Sequence, residues 1–163
     1  MNKFFKAGAA VVLLAFAGTG YAETDPVDAE LDAFWAAISR AGAEGDFEAM
    51  SAAYHPDAVL VSESRGNSVP IAEALARWKP GIEETRRGAM SASVAFRFTG
   101  RLNDETTAHQ TGIFRYEESR PGSEPSVVYI HFEALLVKKD RWLMTMEYQK
   151  RPATEEEWIA AGG

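Results

Sequence analysis

The chain has 163 residues, 46% hydrophobic and 25% charged, with 17 basic against 24 acidic side chains and a net charge of −7. That balance fits one globular domain and excludes a disordered or coiled-coil chain. Zero cysteines exclude a disulfide framework, a thiolate metal centre and a catalytic thiol, and the dispersed His55, His109 and His131 form no local metal motif.

The acidic surplus argues against a nucleic-acid partner, because phosphate-backbone affinity rests on clustered Lys and Arg. Lys3 and Lys6 open the chain, the run Ala7–Ala17 is apolar or small, and Gly20 and Ala22 stand at the −3 and −1 positions before Glu23. This is the three-part plan of a secretory signal. The apolar run is too short to cross a bilayer core of about 30 Å as a helix. Residues 1–22 are therefore expected to be a signal peptide. Residues 23–163 are expected to be one mature domain, periplasmic or secreted, with no membrane anchor after cleavage.

Asp25 before Pro26 reads as a helix start, with Leu31, Phe34, Trp35 and Ile38 as one apolar stripe and Gly42 and Gly45 as the end. Asp46 caps a second, short helix with Phe47, Met50 and Tyr54 on its inner face, stopped by Pro56. The β-branched run at Asp57–Ser62 is the first strand. A third helix opens near Pro70, carries Ile71, Leu75 and Trp78, and is expected to break or kink at Pro80 and Gly81. From about residue 90 the period falls to two. Val94, Phe96 and Phe98 alternate with Ser93, Arg97 and Thr99. A turn at Asn103–Asp104 leads to a partner strand over 105–117. Strands over 127–138 and 142–149 then form a second hairpin about Lys139–Arg141. Thr154 and Glu157 form a capping box opening a last helix that holds Trp158. Helices followed by long strands imply an α+β fold, a curved antiparallel sheet wrapped round helices, whose mouth is a natural pocket.

Two strings carry a family resemblance. Gly45-Asp46-Phe47-Glu48 leading to Tyr54-His55-Pro56-Asp57-Ala58-Val59-Leu60, and the closing Val137-Lys138-Lys139-Asp140-Arg141-Trp142-Leu143, resemble the nuclear transport factor 2-like superfamily over roughly residues 28–150. The final turn departs from the family in lacking the glycine often found before the Trp. The resemblance implies a cystatin-like cone of the SnoaL-like type. SnoaL-like proteins include polyketide cyclases, ketosteroid isomerases and scytalone dehydratase-like enzymes, beside members that only bind ligands or partners.

Chemistry is expected from polar groups turned into the cone. On the strand 127–138, Tyr129, His131 and Glu133 share one face, and Val128, Ile130, Phe132, Ala134 and Leu136 the other. By analogy with the superfamily, Trp142 faces away from the cup, which brings Glu147 to the pocket beside His131 and Glu133, the three candidate catalytic residues. Trp35, Tyr54, Trp78, His109 and Tyr129 are the candidate ligand-binding residues. An isolated ionised carboxylate in an apolar site costs several kcal/mol, so Glu133 must be paired, wetted or protonated. The same carboxylates also read as rim groups, or as partners of Arg97 or Arg115. The reading that results is an exported domain binding a small apolar molecule, with no assigned reaction. The alternatives are a cofactor-independent lyase or isomerase using the pocket His and Glu side chains for proton transfer, and a dimeric interaction module with a filled cone. No metal and no cofactor are expected. A homodimer is expected, covering the apolar stripe from Val128 to Leu136.

Overall fold

The computed structural model describes residues 25–162, and the expected signal peptide lies outside them. Asp25 starts α1 (Pro26–Glu44) by accepting the Val27 amide, with Pro26 in the first turn. The helix runs through Gly42 and ends at Gly45, whose φ of 68° is the left-handed cap that only glycine adopts without strain. Asp46 then caps α2 (Phe47–Ala52) by accepting the Ala49 amide. Tyr54 belongs not to this helix but to β1 (Tyr54–Ser62), which starts earlier than the β-branched run suggests and passes through Pro56. The four-residue β2 (Asn67–Pro70) carries no periodicity and escapes sequence reading. It pairs antiparallel with β1.

α3 spans Ile71–Arg86 and continues past Pro80, so of the expected break or kink the break does not occur. A proline removes one N–H from the ladder, and packing of Ile82 and Thr85 on the inner side carries the last turns across that gap. The Thr85 hydroxyl also donates to the Gly81 carbonyl at 3.1 Å. Four long strands follow: β3 (Ser91–Asn103), β4 (Thr107–Ser119), β5 (Ser126–Lys138) and β6 (Trp142–Pro152). The capping box at Thr154 and Glu157 opens α4 (Glu155–Ala160) as expected.

The strands form one curved, unclosed six-stranded sheet in the order β2-β1-β6-β5-β4-β3. All neighbours are antiparallel except β1 and β6, which run parallel, so the sheet is mixed. Irregularities interrupt the β3–β4 pairing between Phe98 and Gly100, and the β5–β6 pairing at two places. Such extra residues bend a strand and raise its twist. The inner, concave face carries Phe96, Phe98, Phe132, Ala134, Leu136, Trp142 and Met144 against α1 and α3. Trp35 of α1 is the central contact, with its ring 4.6 Å from Phe96 and 5.5 Å from Phe132, centroid to centroid. Its indole N–H donates to the Gln110 carbonyl oxygen at 2.6 Å, on a side chain with no solvent exposure.

The outer face holds α4. Ile113 of β4 is buried on that side, and Trp158 packs between the Arg97 guanidinium, 4.3 Å from its ring, and Tyr129, 5.9 Å away. Arg97 donates to the Trp158 carbonyl at 2.6 Å, which satisfies a helix-end acceptor.

Gly45 is the tightest point of the helical layer. A Cβ there would lie 2.3 Å from the Arg86 amide nitrogen and 2.6 Å from the Ile82 carbonyl oxygen. Gly45→Ala is expected to cost about 1–3 kcal/mol from backbone conformation alone, and more from the overlap with α3. Urea unfolding of the variant, read as a lowered midpoint at unchanged slope, checks this.

Candidate functional site

The interior of the cone is a cavity of about 690 Å³. Its walls come from every layer: Trp35 and Ile38 of α1, Met50 of α2, Trp78 and Ile82 of α3, Val94 and Phe96 of β3, Phe114 of β4, Ile130 and Phe132 of β5. The surface is predominantly apolar, and the volume is that of a drug-sized ligand site. Its presence removes the alternative of a cone plugged by its own side chains.

One polar cluster lies in this apolar wall. Tyr54 of β1 donates its phenol to Glu147 Oε2 at 2.6 Å, and Gln149 donates its amide to Glu147 Oε1 at 2.7 Å. All three side chains line the cavity. Burial pushes the Glu147 carboxyl above the ordinary glutamate value, and the two donated hydrogen bonds hold it partly back. Burial, followed by the neighbouring Glu147 charge, raises the Tyr54 phenol well above its usual value, so it stays a donor. Trp78 stands 6.4 Å from Tyr54, ring centre to ring centre.

Glu147 reaches the cavity through a bulge. Leu136 pairs with Met144 and Leu135 with Met146, so Thr145 is left over, and its hydroxyl donates to the Leu135 carbonyl at 3.1 Å. One extra residue inverts the alternation. Trp142 and Met144 therefore point inward before it, and Glu147 and Gln149 point inward after it. The expectation that Trp142 faces away from the cup is thus corrected. Strict alternation would have placed Glu147 on the opposite face from Trp142.

His131 and Glu133 do not join Glu147. The inner face of β5 is the apolar one, where Phe132, Ala134 and Leu136 are buried, and His131 and Glu133 lie on the outer face. The physical reason is plain hydrophobic partition: the wholly apolar stripe takes the side covered by helices. Phe132, Ala134 and Leu136 of that stripe are buried under the helices, whereas Val128 at its mouth end stays 44% exposed, so the stripe is not the continuous exposed face from which a dimer was expected. Outside, Glu133 accepts from Lys150 Nζ at 2.7 Å and lies 3.3 Å from His109 Nε2. The Lys150 ammonium, and then His109, hold its carboxyl below the usual range. Glu157 sits 3.4 Å from His131 Nε2. Arg151, then the Thr154 amide, keep Glu157 at about 2. Of the five candidate ligand-binding residues, Trp35, Tyr54 and Trp78 line the cavity, whereas His109 and Tyr129 are on the outer face with Glu133 and Trp158. Gln149 was not foreseen, although it shares a face with Glu147 in the sequence pattern of β6.

The mouth is charged and internally paired. Arg120, beyond β4, bonds Glu84 of α3, Arg77 of α3 bonds Glu73 at 2.6 Å, and Tyr116 donates to Glu118 at 3.0 Å. Burial and Glu118 push the Tyr116 phenol up to about 12. Among the described residues no group of His, Asp and Glu is placed to hold a metal ion, and no helix is long and apolar enough to cross a membrane.

With this geometry in view, solved structures identify the architecture. A nuclear transport factor 2-like protein of unknown function from Shewanella oneidensis has a TM-score of 0.59 at 20% identity, covering 78% of this chain and 100% of its own. The fold is that of the nuclear transport factor 2-like proteins. A ketosteroid isomerase-like protein from Erwinia carotovora atroseptica has a TM-score of 0.55 at 17% identity, over 78% of this chain and 94% of its own. The β subunit of the benzoate 1,2-dioxygenase from Burkholderia mallei has a TM-score of 0.61 at 16% identity, over 75% and 88%. No protein-family model matches the sequence, and no curated protein matches it.

Because Glu147 has its folded-state carboxyl raised, its ionisation destabilises the fold above that raised value and has no effect below the unfolded one. Glu147→Gln is therefore expected to gain melting temperature relative to the parent as pH rises from 4 to 8, with the gap closing toward acid. Thermal unfolding of both proteins across that range checks the sign.

Proposed function

We propose that this chain is an exported binding domain that takes a small, largely apolar molecule into the cone. The observation that carries the reading is the cavity itself: about 690 Å³, walled by aromatic and aliphatic side chains, with one hydrogen-bonded polar cluster at Tyr54, Glu147 and Gln149. Sites of this make-up bind by apolar contact and orient by a few polar groups. Export is supported by the Lys3–Ala22 segment, and the fold class accommodates both binding and catalytic members.

The neutral dye N-phenyl-1-naphthylamine should bind saturably, one per chain, with enhanced emission and a raised melting temperature. Ile130→Trp, which puts a larger ring into the cavity wall, should weaken dye binding while the protein still unfolds cooperatively. Equal binding by this variant, or no saturable binding by the parent, would refute the reading.

A second reading is cofactor-independent proton transfer on the bound molecule. One observation favours it: a carboxyl raised toward neutrality by burial, beside a phenol that stays protonated. With His131 and Glu133 on the other face, Glu147 alone would serve as base, and Tyr54, whose single O–H would have to turn from the newly protonated Glu147, as the donor to a developing oxyanion. On this reading, enolisable cyclic ketones in D2O should exchange their α-hydrogens with the parent and not with Glu147→Gln. Equal exchange in the two proteins would remove it.

A further inference from the structure

We infer that the cavity selects a positively charged apolar amine, an aryl- or alkylammonium ion whose nitrogen meets Glu147. This rests on the binding reading and names the chemical class of its ligand.

The hydrogen-bond inventory of the deep cluster carries the argument. Tyr54 has one O–H, and it is already given to Glu147 Oε2 at 2.6 Å. Gln149 gives an N–H to Glu147 Oε1 at 2.7 Å. Both side chains thus donate to the carboxylate; the cluster keeps one free donor, the second Gln149 N–H, against several free acceptors, namely the carboxylate's remaining lone pairs, the phenol oxygen and the Gln149 carbonyl. A ligand that brings only acceptors, such as a ketone or a carboxylate, finds little to bond there. One that brings a donor finds several lone pairs, and one that brings a positive charge also neutralises a buried anion.

The walls favour the same charge. Tyr54 and Trp78, 6.4 Å apart, flank the cluster, and Trp35, Phe96 and Phe132 form a connected aromatic wall beyond them. Ring faces carry negative potential and attract cations. An anion would meet those faces and Glu147 together. The arginines that line the cavity give an anion no relief, since Arg120 is bonded to Glu84 and Arg77 to Glu73. Of the other two acidic groups on the lining, Glu84 accepts from Arg120 and Glu118 accepts the Tyr116 phenol. The chain's net charge of −7 draws cations toward the mouth before any contact is made.

Four probes of one shape separate the possibilities: 4-phenylbutylammonium, 4-phenylbutanol, pentylbenzene and 5-phenylpentanoate. Each is titrated against the full protein at pH 7.5, by displacement of N-phenyl-1-naphthylamine and by calorimetry. The ammonium ion should bind at least about tenfold tighter than pentylbenzene, with the alcohol between them and the carboxylate weakest. In Glu147→Gln the ammonium-to-pentylbenzene ratio should fall to near one.

Should that variant fail to fold, the parent protein supplies the same information through pH. Glu147 is the cavity carboxyl set above the ordinary range. Tyr54 and Tyr116, both raised by burial, stay protonated on mild acidification, and Arg77 and Arg120 are held in ion pairs with Glu73 and Glu84. Glu84 and Glu118 sit at the mouth, each with a hydrogen-bond donor. Ammonium affinity should therefore begin to fall, on acidification, above the range of an ordinary glutamate, while pentylbenzene affinity holds.

A carboxylate or alcohol as tight as the ammonium ion overturns the inference, as does an ammonium preference that persists in Glu147→Gln. If pentylbenzene binds and no cation preference exists, the binding reading stands and this one fails. If the dye and all four probes fail to bind, both fail.

Discussion

A single indole holds the cone open. Trp35 projects from α1 into the concave side of the sheet, where its ring meets Phe96, Phe98 and Phe132 and its N–H is fixed by the buried Gln110. The aromatic contacts set how closely the helix approaches the strands, and the hydrogen bond sets where along them it lies. Removing that bond would leave a buried amide acceptor unpaired, at a cost of about 1–3 kcal/mol. Because the narrow end is filled in this way, the space toward Trp78 and Ile130 stays unfilled and becomes the cavity.

The two faces of the same sheet handle charge in opposite ways. Outside, Glu133 and Glu157 are matched with Lys150 and Arg151, and both carboxyls are drawn downward. Such pairs, part-exposed, hold side chains in place and add little stability each. Inside, Glu147 has, among the described residues, a phenol and an amide as hydrogen-bond partners and no cation, and its carboxyl is drawn upward. A group kept in a costly environment without a matching cation is a mark of a binding or reactive site. Glu147 is drawn upward, whereas Glu30, Asp104, Glu133, Glu156 and Glu157 are all drawn downward.

Much of this was legible from residues. Asp25, Asp46 and the Thr154–Glu157 box announced three helix starts by capping chemistry, and β3 declared its inner face because Val94, Phe96 and Phe98 alternate with polar neighbours. Trp35, Tyr54, Trp78 and Glu147 were all named as candidates and all line the cavity. What sequence did not carry was parity. In β5 both faces are largely apolar, so alternation left His131 and Glu133 free to be placed on either side. In β6 the bulge at Thr145 has no composition signature, yet it turns Glu147 and Trp142 onto one face. Gln110 gave no signal either, since its importance exists only when Trp35, distant in sequence, arrives beside it. β2 is too short to show a period at all.

The parallel pairing of β1 with β6 has a consequence for how the domain comes into being. As the chain is synthesised, β1 emerges early, and among the described residues its other neighbour is the short β2. Its long partner is the last strand made, so the contact between Tyr54 and Glu147 joins the opening of the domain to its close. Loop closure over such a distance is entropically unfavourable until the intervening hairpins have formed. The cavity is therefore completed late, and a growing chain that stops short of β6 has neither a floor to its cup nor a seal on its first strand. For the proposed export, such late completion leaves a long interval before the polypeptide locks.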